Sequence, residues 1–132
     1  MNQKDIVRVR DVMRRNIDII SGMTTITNAL QQMEHVKNKM LIVDKRHDDD
    51  EYGVVFISDI AYHVLSLNKS PDRVNVYEIM TKPIISVDAA MNIRYCARLF
   101  ERLNLSRAPV MDNGKLVGVV SLTRMVLHGI RK

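Results

Sequence analysis

The chain has 132 residues, 46% hydrophobic and 27% charged, a length that fits one compact domain or two small repeats and excludes two enzyme-sized domains. Lys and Arg outnumber Asp and Glu by 20 to 15, and the formal net charge of +5 permits an anionic partner without requiring one. Only 5% of residues are aromatic and Trp is absent, which disfavours a surface that stacks nucleic-acid bases.

Cysteine content and hydropathy predict a cytoplasmic protein without a membrane span. Cys96 is the single cysteine, so an intrachain disulfide is excluded and a reducing compartment suits the chain. The longest apolar runs, residues 40–43 and 54–57, are far shorter than the roughly 20 residues of a transmembrane helix. The first ten residues mix acids and bases, so we expect no targeting segment.

The first half of the chain predicts a strand, a helix, two strands and a closing helix. Thr24 and Thr25 are capping candidates for a helix whose apolar residues have the i, i+3, i+4, i+7 spacing of a core-facing stripe: Ile26, Ala29, Leu30 and Met33. Residues 40–43 and 53–57 are short apolar runs flanked by charge and glycine, typical of buried strands joined by a hairpin. Residues 58–67 are the closing helix, and a linker follows around residues 68–73.

The second half predicts the same order of elements. Its helix carries the same stripe, formed by Ile93, Cys96, Ala97 and Phe100. Residues 108–111 and 115–120 are strands joined at Asn113-Gly114, a dipeptide that strongly favours a tight hairpin. Residues 121–130 are the closing helix. We therefore predict an α/β fold (α+β in some schemes) of two βαββα repeats, residues 1–68 and 69–132.

An internal repeat supports this division. An offset of 67 residues aligns several identical residues: Val9 with Val76, Met13 with Met80, Ile26 with Ile93 and Glu34 with Glu101. Beyond the first helix the offset becomes 68, where Asp44 aligns with Asp112, and then 65, where Gly53 aligns with Gly118. A long period present twice indicates a duplicated small unit, since solenoids have shorter periods and several copies.

These repeats resemble a tandem CBS-domain pair. The resemblance covers residues 9–127 and rests on paired motifs: Val9-x-Asp11-Val12-Met13 with Val76-x-Glu78-Ile79-Met80-Thr81, Ala108-Pro109-Val110-Met111-Asp112-x-Gly114, and residues 53–60 with residues 118–125. It implies a Bateman module, in which two repeats pack through their sheets with pseudo-two-fold symmetry. Many relatives bind AMP, ADP, ATP or S-adenosylmethionine in the clefts between repeats, form disc-shaped homodimers and regulate a partner without being enzymes.

The family's ribose-binding motif, Gly-x-x-[Ser/Thr]-x-x-Asp, is incomplete in both repeats. A carboxylate accepts hydrogen bonds from both ribose hydroxyls, and the Ser/Thr hydroxyl bonds ribose or phosphate oxygens. The first repeat keeps Asp59 but has Phe56 at the hydroxyl position. The second keeps Ser121 but has Arg124 at the carboxylate position, and a guanidinium has donors and no acceptor.

The resemblance also implies a basic residue near the nucleotide phosphates, just before the second strand, and we assign this place to Lys39 and to Arg107. The candidate ligand-binding residues are thus Lys39, Ser58 and Asp59 in the first repeat and Arg107, Ala108, Ser121 and Arg124 in the second. The second set suits a phosphate or carboxylate more than a ribose. The first could still take a nucleoside if Phe56 turns into the core.

Each of the two charged motif residues has an alternative structural role. Asp59 also fits an ordinary acidic residue at a helix N-terminus, where it complements the helix dipole. A cation in the first turn is mildly unfavourable, so Arg124 requires a partner. Either a bound anion or a salt bridge across a dimer meets that requirement.

Three other features fit structure better than chemistry. Residues 47–51 are an acidic run in the longer hairpin, but they lack the alternating spacing of a calcium loop, so we interpret them as a solvated charge run. The histidines, His35, His47, His63 and His128, have no metal-ligand spacing. Cys96 lies on a core stripe and is expected to be a buried, inert thiol.

The leading hypothesis is a stand-alone regulatory CBS pair that binds a small anionic or adenosyl ligand in an inter-repeat cleft and signals to an unknown regulated protein through a homodimer surface. It requires no cofactor or metal and is not an enzyme, since no nucleophile with a base and no catalytic carboxylate pair is evident. The alternative is a ligand-free dimerisation or protein-interaction module with degenerate nucleotide sites. A weaker alternative is nucleic-acid binding through the basic termini, residues 1–15 and 98–132.

Overall fold

The computed structural model describes residues 6–131 and divides them into two compact units. The terminal unit consists of residues 6–16 and 85–131, and the central unit consists of residues 17–84. The ends of the basic termini, including Lys4 and Lys132, lie outside the described residues. The units therefore do not follow the division into residues 1–68 and 69–132 that we predicted for the repeats.

Each unit has the βαββα order that the sequence predicts. The chain begins with a short helix of the terminal unit, α1 (Val9–Val12). The central unit then contains β1 (Ile19–Ile20), α2 (Ile26–Gln32), β2 (Met40–Val43), β3 (Gly53–Phe56) and α3 (Ile57–Ile60), with a π-helical turn (Ala61–Leu65) and 3₁₀ turns at Val36–Asn38 and Val76–Glu78. Strand β1 is parallel to β2, and β2 is antiparallel to β3.

The terminal unit repeats this sheet. It contains β4 (Val87–Asp88), α4 (Ile93–Leu103), β5 (Arg107–Asp112), β6 (Lys115–Ser121) and α5 (Leu122–Gly129). Strand β4 is parallel to β5, and β5 is antiparallel to β6. The predicted turn between them is confirmed: Asn113 and Gly114 have φ of 51° and 77°, as a tight primed hairpin turn requires. The α/β fold class is therefore confirmed.

Each unit has a core of its own, built from most of the predicted apolar stripes; Leu30 of the first stripe is instead 43% exposed. Ile26 and Ala29 of α2 are buried with Leu41 and Val55 of its sheet. In the terminal unit the corresponding residues are Cys96 and Phe100 of α4 with Val110 and Val120. Burial raises the pKa of Cys96 to about 11, so its thiol stays protonated near neutral pH, as expected for an inert core cysteine.

The entry segments, residues 9–14 and 74–81, explain why the units do not follow the repeats. Residues 74–81 belong to the second repeat but pair with β3 of the first, through two 2.9 Å bonds between Val54 and Thr81. Residues 9–14 belong to the first repeat and pair in the same way with β6 of the second, where Arg14 and Val119 exchange bonds of 2.8 and 2.9 Å. Each sheet is thus extended by the entry segment of the other repeat.

The strand register corrects one detail of the repeat alignment. Met40 pairs with Phe56, and Arg107 pairs with Ser121, so Met40 aligns with Arg107 and the offset between β2 and β5 is 67. Next to this region β6 has a bulge: Val110 pairs with Gly118 and Met111 with Leu116, which leaves Val117 as the extra residue.

The same register changes the partner of Lys39. Its carbonyl accepts the amide N–H of Ile57, and the carbonyl of Ser106 accepts that of Leu122, both at 3.0 Å. Ser106, not Arg107, is therefore the equivalent of Lys39. Lys39 precedes its strand, whereas Arg107 is the first residue of β5.

Candidate functional site

In the central unit the motif residues lie where β3 ends and α3 begins. Asp59 is half-buried, and its Oδ2 accepts the backbone N–H of Phe56 at 2.8 Å. This bond satisfies a donor at the helix N-terminus, which is the structural role considered for Asp59 from the sequence. Because an ionised carboxylate has about four acceptor positions, the bond leaves capacity for further donors.

The other two candidates of the central unit lie at the same end of the sheet. Lys39 is exposed and adopts a left-handed conformation with φ of 57°, and its carbonyl binds the first residue of α3. Ser58 is exposed in the first turn of α3. The structure therefore brings Lys39, Ser58 and Asp59 to one edge, beside Phe56.

In the terminal unit the candidates surround the start of α5. Ser121 is the N-cap, and its Oγ accepts the backbone N–H of Arg124 at 3.1 Å. Arg107 is directly opposite Ser121 on the neighbouring strand, and burial lowers the pKa of its guanidinium. Ala108 is buried with only 1% of its surface exposed, so its methyl group belongs to the core.

Arg124 has a partner that the sequence did not indicate. Its Nε donates to the carbonyl oxygen of Val12 at 2.8 Å, at the end of α1, where carbonyls lack intrahelical partners. Its Nη1 lies 3.0 Å from Nε2 of His128, one turn along α5. Neither a bound anion nor a cross-dimer salt bridge is needed to hold the side chain. Because a guanidinium has five N–H donors, further donors remain for a ligand.

Positive charge accumulates around Arg124. Burial, and then the charge of Arg14, lower the pKa of Arg124. Burial lowers the pKa of His128, and the charges of Arg124, Arg131 and Arg14 lower it further. No carboxylate contributes to either shift. We call Arg14, Arg124, His128 and Arg131 the basic cluster; such a group of like charges is electrostatically favourable for an anion.

Sequence reasoning identified only Arg124 of this cluster as a site residue and missed Arg14, His128 and Arg131. Arg14 follows Met13 of the repeated motif, at the place that Thr81 has in the central unit, and its proximity to Arg124 depends on the pairing of residues 9–14 with β6. His128 is four residues after Arg124, a spacing that places two side chains on one helix face and could have indicated the contact.

We interpreted the acidic run at residues 47–51 as a solvated charge run, but the structure buries one of its carboxylates. The side chain of Asp50 is only 8% exposed and pairs with Arg46 and Lys82.

Within residues 6–131, no group of three or more His, Cys, Asp or Glu is arranged to hold a metal ion. In the same part of the chain, no helix has both the length and the apolar character needed to cross a membrane.

Comparison with known proteins agrees with this architecture. The sequence profile of the CBS domain matches residues 9–66 and, a second time, residues 76–128. The chain belongs to the CBS-domain family. CBS domains are generally regulatory rather than catalytic, and the matching profile indicates no enzyme family.

Relatives extend the comparison over most of the chain. An uncharacterised protein of Methanopyrus kandleri is 33% identical over 120 residues, which cover 88% of this chain and 59% of the relative's length. The hexameric CBS-CP12 protein from bloom-forming cyanobacteria superposes with a TM-score of 0.88 and 34% identity, over 95% of this chain and 72% of that one. The CBS pair of protein MJ0100, in complex with 5′-methylthioadenosine and S-adenosyl-L-methionine, has a TM-score of 0.75 and 23% identity, over 96% and 99% of the two chains; it shares the fold.

Proposed function

We propose that this CBS pair is a regulatory module that binds a small anionic or adenosyl ligand and transmits its occupancy to a partner protein. The observation that carries the proposal is the basic cluster along α5, which includes Arg124 at the position where the family motif contacts its ligand. The fold match to a CBS pair that holds adenosyl compounds supports the ligand class. No residue carries out chemistry in this proposal; ligand binding changes the module's surface.

The terminal unit is the stronger anion site. Arg107 and Ser121 are cross-strand neighbours, and Ser121 and Arg124 are joined by the capping bond. A phosphate or carboxylate here would meet a hydroxyl and guanidinium donors, with Arg14 nearby. Charge-assisted hydrogen bonds of this kind are about twice as strong as neutral ones.

The central unit has the residue for a ribose. Asp59 keeps acceptor capacity beyond its bond to Phe56, and Lys39 and Ser58 lie at the same edge. Phe56 is partly buried and brings no donor to the hydroxyl position. We therefore propose weaker binding of adenosyl ligands here than in relatives with a complete motif.

We also propose that the module is a homodimer joined through α4 and α5. Leu122, Val126 and Ile130 are apolar but between 38% and 69% exposed. With Ile93 and Ala97 they line a groove of about 290 Å³ in the terminal unit. Burial of exposed apolar surface favours association by roughly 25 cal/mol per Å², so this face suits a second copy of the chain.

The alternative, a ligand-free interaction module, is favoured by one observation. Arg124 already donates to Val12 and contacts His128, so the guanidinium is partly engaged by the protein itself. In this alternative the apolar α4 and α5 face is retained while neither motif binds a ligand.

The two functions are separated by titrating the protein with AMP, ADP, ATP, S-adenosylmethionine and 5′-methylthioadenosine in a calorimeter. A saturable response that Arg124→Gln or Asp59→Asn weakens supports ligand regulation. Lys115→Gln removes a cation from the hairpin of the terminal unit and is the charge-matched control. No response up to about 5 mM ligand would mean a binding free energy weaker than roughly −3 kcal/mol. That result would favour the ligand-free module.

His128 provides a second measurement at the terminal site. An anion bound beside Arg124 offsets the positive charges that lower the pKa of His128, so its imidazole pKa should rise when ligand is added. A proton NMR titration with and without ligand measures this change. A bound ligand that leaves the His128 titration unchanged would place binding elsewhere.

A further inference from the structure

The central unit contains a pocket that involves none of the motif residues. It has a volume of about 780 Å³ and is lined by Ser21, Gly22, Met23, Val43, Asp44, Lys45, Arg46, Tyr77, Met80 and Lys82. It lies where Val43 pairs with Gly53, whereas the motif residues lie where Met40 pairs with Phe56. Three residues of strand separate these ends, a distance of roughly 10 Å.

One wall of this pocket is cationic and is organised by a carboxylate behind it. Asp50 accepts from Nζ of Lys82 at 2.7 Å and from Nε of Arg46 at 3.0 Å. It also accepts the backbone N–H of Arg46 at 2.9 Å. Asp50 is not a lining residue, and its side chain is 8% exposed, so it holds the two cations in place from beneath.

The charge of this wall remains positive after pairing. Arg46, Lys82 and Lys45 carry three positive charges, and Asp50 and Asp44 carry two negative ones. Arg46 and Lys82 hold the pKa of Asp50 far below its usual range, so its carboxylate is ionised at neutral pH. The Arg46 side chain is 76% exposed and uses Nε on Asp50, and a guanidinium has four further N–H donors.

The lining also contains apolar and aromatic side chains. Met23 is 72% and Tyr77 48% exposed, and both lie beside Val43 and Met80 in the lining. Gly22 allows Tyr77 close to the backbone, since a Cβ on Gly22 would lie 3.3 Å from Cβ of Tyr77. A lining that combines cations with aromatic and thioether side chains suits a molecule with an anionic end and an apolar end.

The pocket depends on a loop that the terminal unit lacks. Residues 44–52 connect β2 to β3 and supply Asp44, Lys45, Arg46 and Asp50. In the terminal unit a two-residue turn, Asn113-Gly114, joins β5 to β6. The longer loop thus adds Lys45, Arg46 and the carboxylate of Asp50, together with the acidic residues Asp48, Asp49 and Glu51, which do not line the pocket.

We propose that this pocket binds a small organic phosphate, with the phosphate against Arg46 and Lys82 and the apolar part against Tyr77 and Met23. Arg46 offers a planar set of donors that matches phosphate oxygens, and Lys82 offers a compact positive charge. This site is independent of the site proposed at Asp59 and Arg124.

The test uses phenyl phosphate and inorganic phosphate as probes, with NMR of ¹³C-methyl methionines in the full chain. Phenyl phosphate should shift the methyl signals of Met23 and Met80 saturably, and inorganic phosphate should bind more weakly because it makes no contact with Tyr77. Arg46→Gln should weaken binding of both probes about tenfold, the usual effect of losing one charge-assisted hydrogen bond. Tyr77→Ala should reduce the preference for phenyl phosphate.

Two controls separate this site from the motif site. Lys115→Gln, in the corresponding hairpin of the terminal unit, should leave the phenyl phosphate shifts of Met23 and Met80 unchanged. Arg124→Gln changes only the motif site, so it should leave these two methyl shifts unchanged as well. Because Arg46 is largely exposed, Arg46→Gln should stay folded, which thermal unfolding checks. The proposal is overturned if Met23 and Met80 do not shift up to roughly 10 mM probe, if Arg46→Gln binds like the wild type, or if Arg124→Gln abolishes the shifts. A failed titration with adenosyl ligands would leave this result unaffected.

Discussion

The central and terminal units share a backbone plan but differ in the charges placed on it. In both, a glycine of the third strand lies against the entry segment: Gly53 beside Met80 and Thr81, Gly118 beside Met13 and Arg14. At the start of the following helix, Asp59 accepts a backbone N–H, whereas Arg124 donates to a backbone carbonyl. Close backbone contacts are thus the same in both copies, while exposed and half-buried positions have diverged.

This difference indicates where the two units have separate functions. The central unit has an acceptor at the motif position and a cationic pocket at the other end of its sheet. The terminal unit has the basic cluster at the motif position and only a tight turn in place of the loop. Duplication of the fold therefore does not imply two equal ligand sites.

The largest expected difference between the units is in the core. Phe100 is fully buried, while Met33, its counterpart at an offset of 67, is only partly buried at the end of α2. Phe100→Ala should lower the free energy of unfolding by about 4 kcal/mol and Met33→Ala by about 2 kcal/mol or less. Urea denaturation measures both. Equal losses would show that the two helices contribute equally to their cores.

A smaller difference is expected at the paired glycines. A Cβ on Gly118 would collide with the carbonyl oxygen of Arg14, whereas on Gly53 it would lie 2.8 Å from Sδ of Met80. A flexible thioether moves more readily than a main-chain carbonyl. Gly118→Ala should therefore lower the free energy of unfolding by about 3 kcal/mol and Gly53→Ala by about 1 kcal/mol. The same denaturation experiment applies, and a larger cost at Gly53 would contradict the comparison.

Completing the motif should strengthen adenosine binding in each unit. Phe56→Thr gives the central unit a full Gly-x-x-Thr-x-x-Asp sequence and should raise AMP affinity about tenfold, as one added hydrogen bond to ligand predicts. Arg124→Asp completes the motif in the terminal unit but removes the bond to Val12. It should strengthen adenosine binding and weaken binding of simple anions. Calorimetry checks both, with Lys115→Gln as the control; unchanged affinities would argue against these positions as ligand contacts.

The smallest expected effect is on the titration of His128. Its pKa lies below the ordinary value of 6.5 because of burial and the surrounding cations, so Arg124→Gln should raise it. A histidine with a lowered pKa in the folded state binds its proton more readily when unfolded; stability therefore increases as pH rises towards about 6.5 and then levels off. NMR titration measures the pKa, and His63, at the corresponding place in the central unit, is the internal reference signal. A pKa unchanged in Arg124→Gln would contradict the basic cluster.

The sequence predicted much of the fold because its signals are local. The stripe from Ile93 to Phe100 requires only helical spacing, and Asn113-Gly114 specifies its own turn. The sequence did not predict the β-bulge at Val117 of β6, since a single inserted residue leaves the apolar pattern nearly unchanged. Nor did it show that the strand register aligns Lys39 with Ser106, one residue before Arg107.

Only those residues of the candidate site that belong to the repeated motif could be predicted from the sequence. Asp59, Ser121 and Arg124 were identified from their positions in the repeat, and they remain candidates for ligand binding. The partners of Arg124 were not predictable, because Val12 is 112 residues away along the chain. The burial of Asp50 in the acidic run was likewise invisible, because Lys82 lies 32 residues further on.

The sequence alone determined that the protein is a duplicated βαββα chain with two incomplete ribose motifs, because spacing and residue type carry that information locally. Only the tertiary structure decided which entry segment joins which sheet, and so placed Arg14 near Arg124 and Lys82 beside Asp50. The physical reason is that main-chain pairing with β3 and β6 brings together residues far apart in the chain, and charges act through space rather than along the sequence.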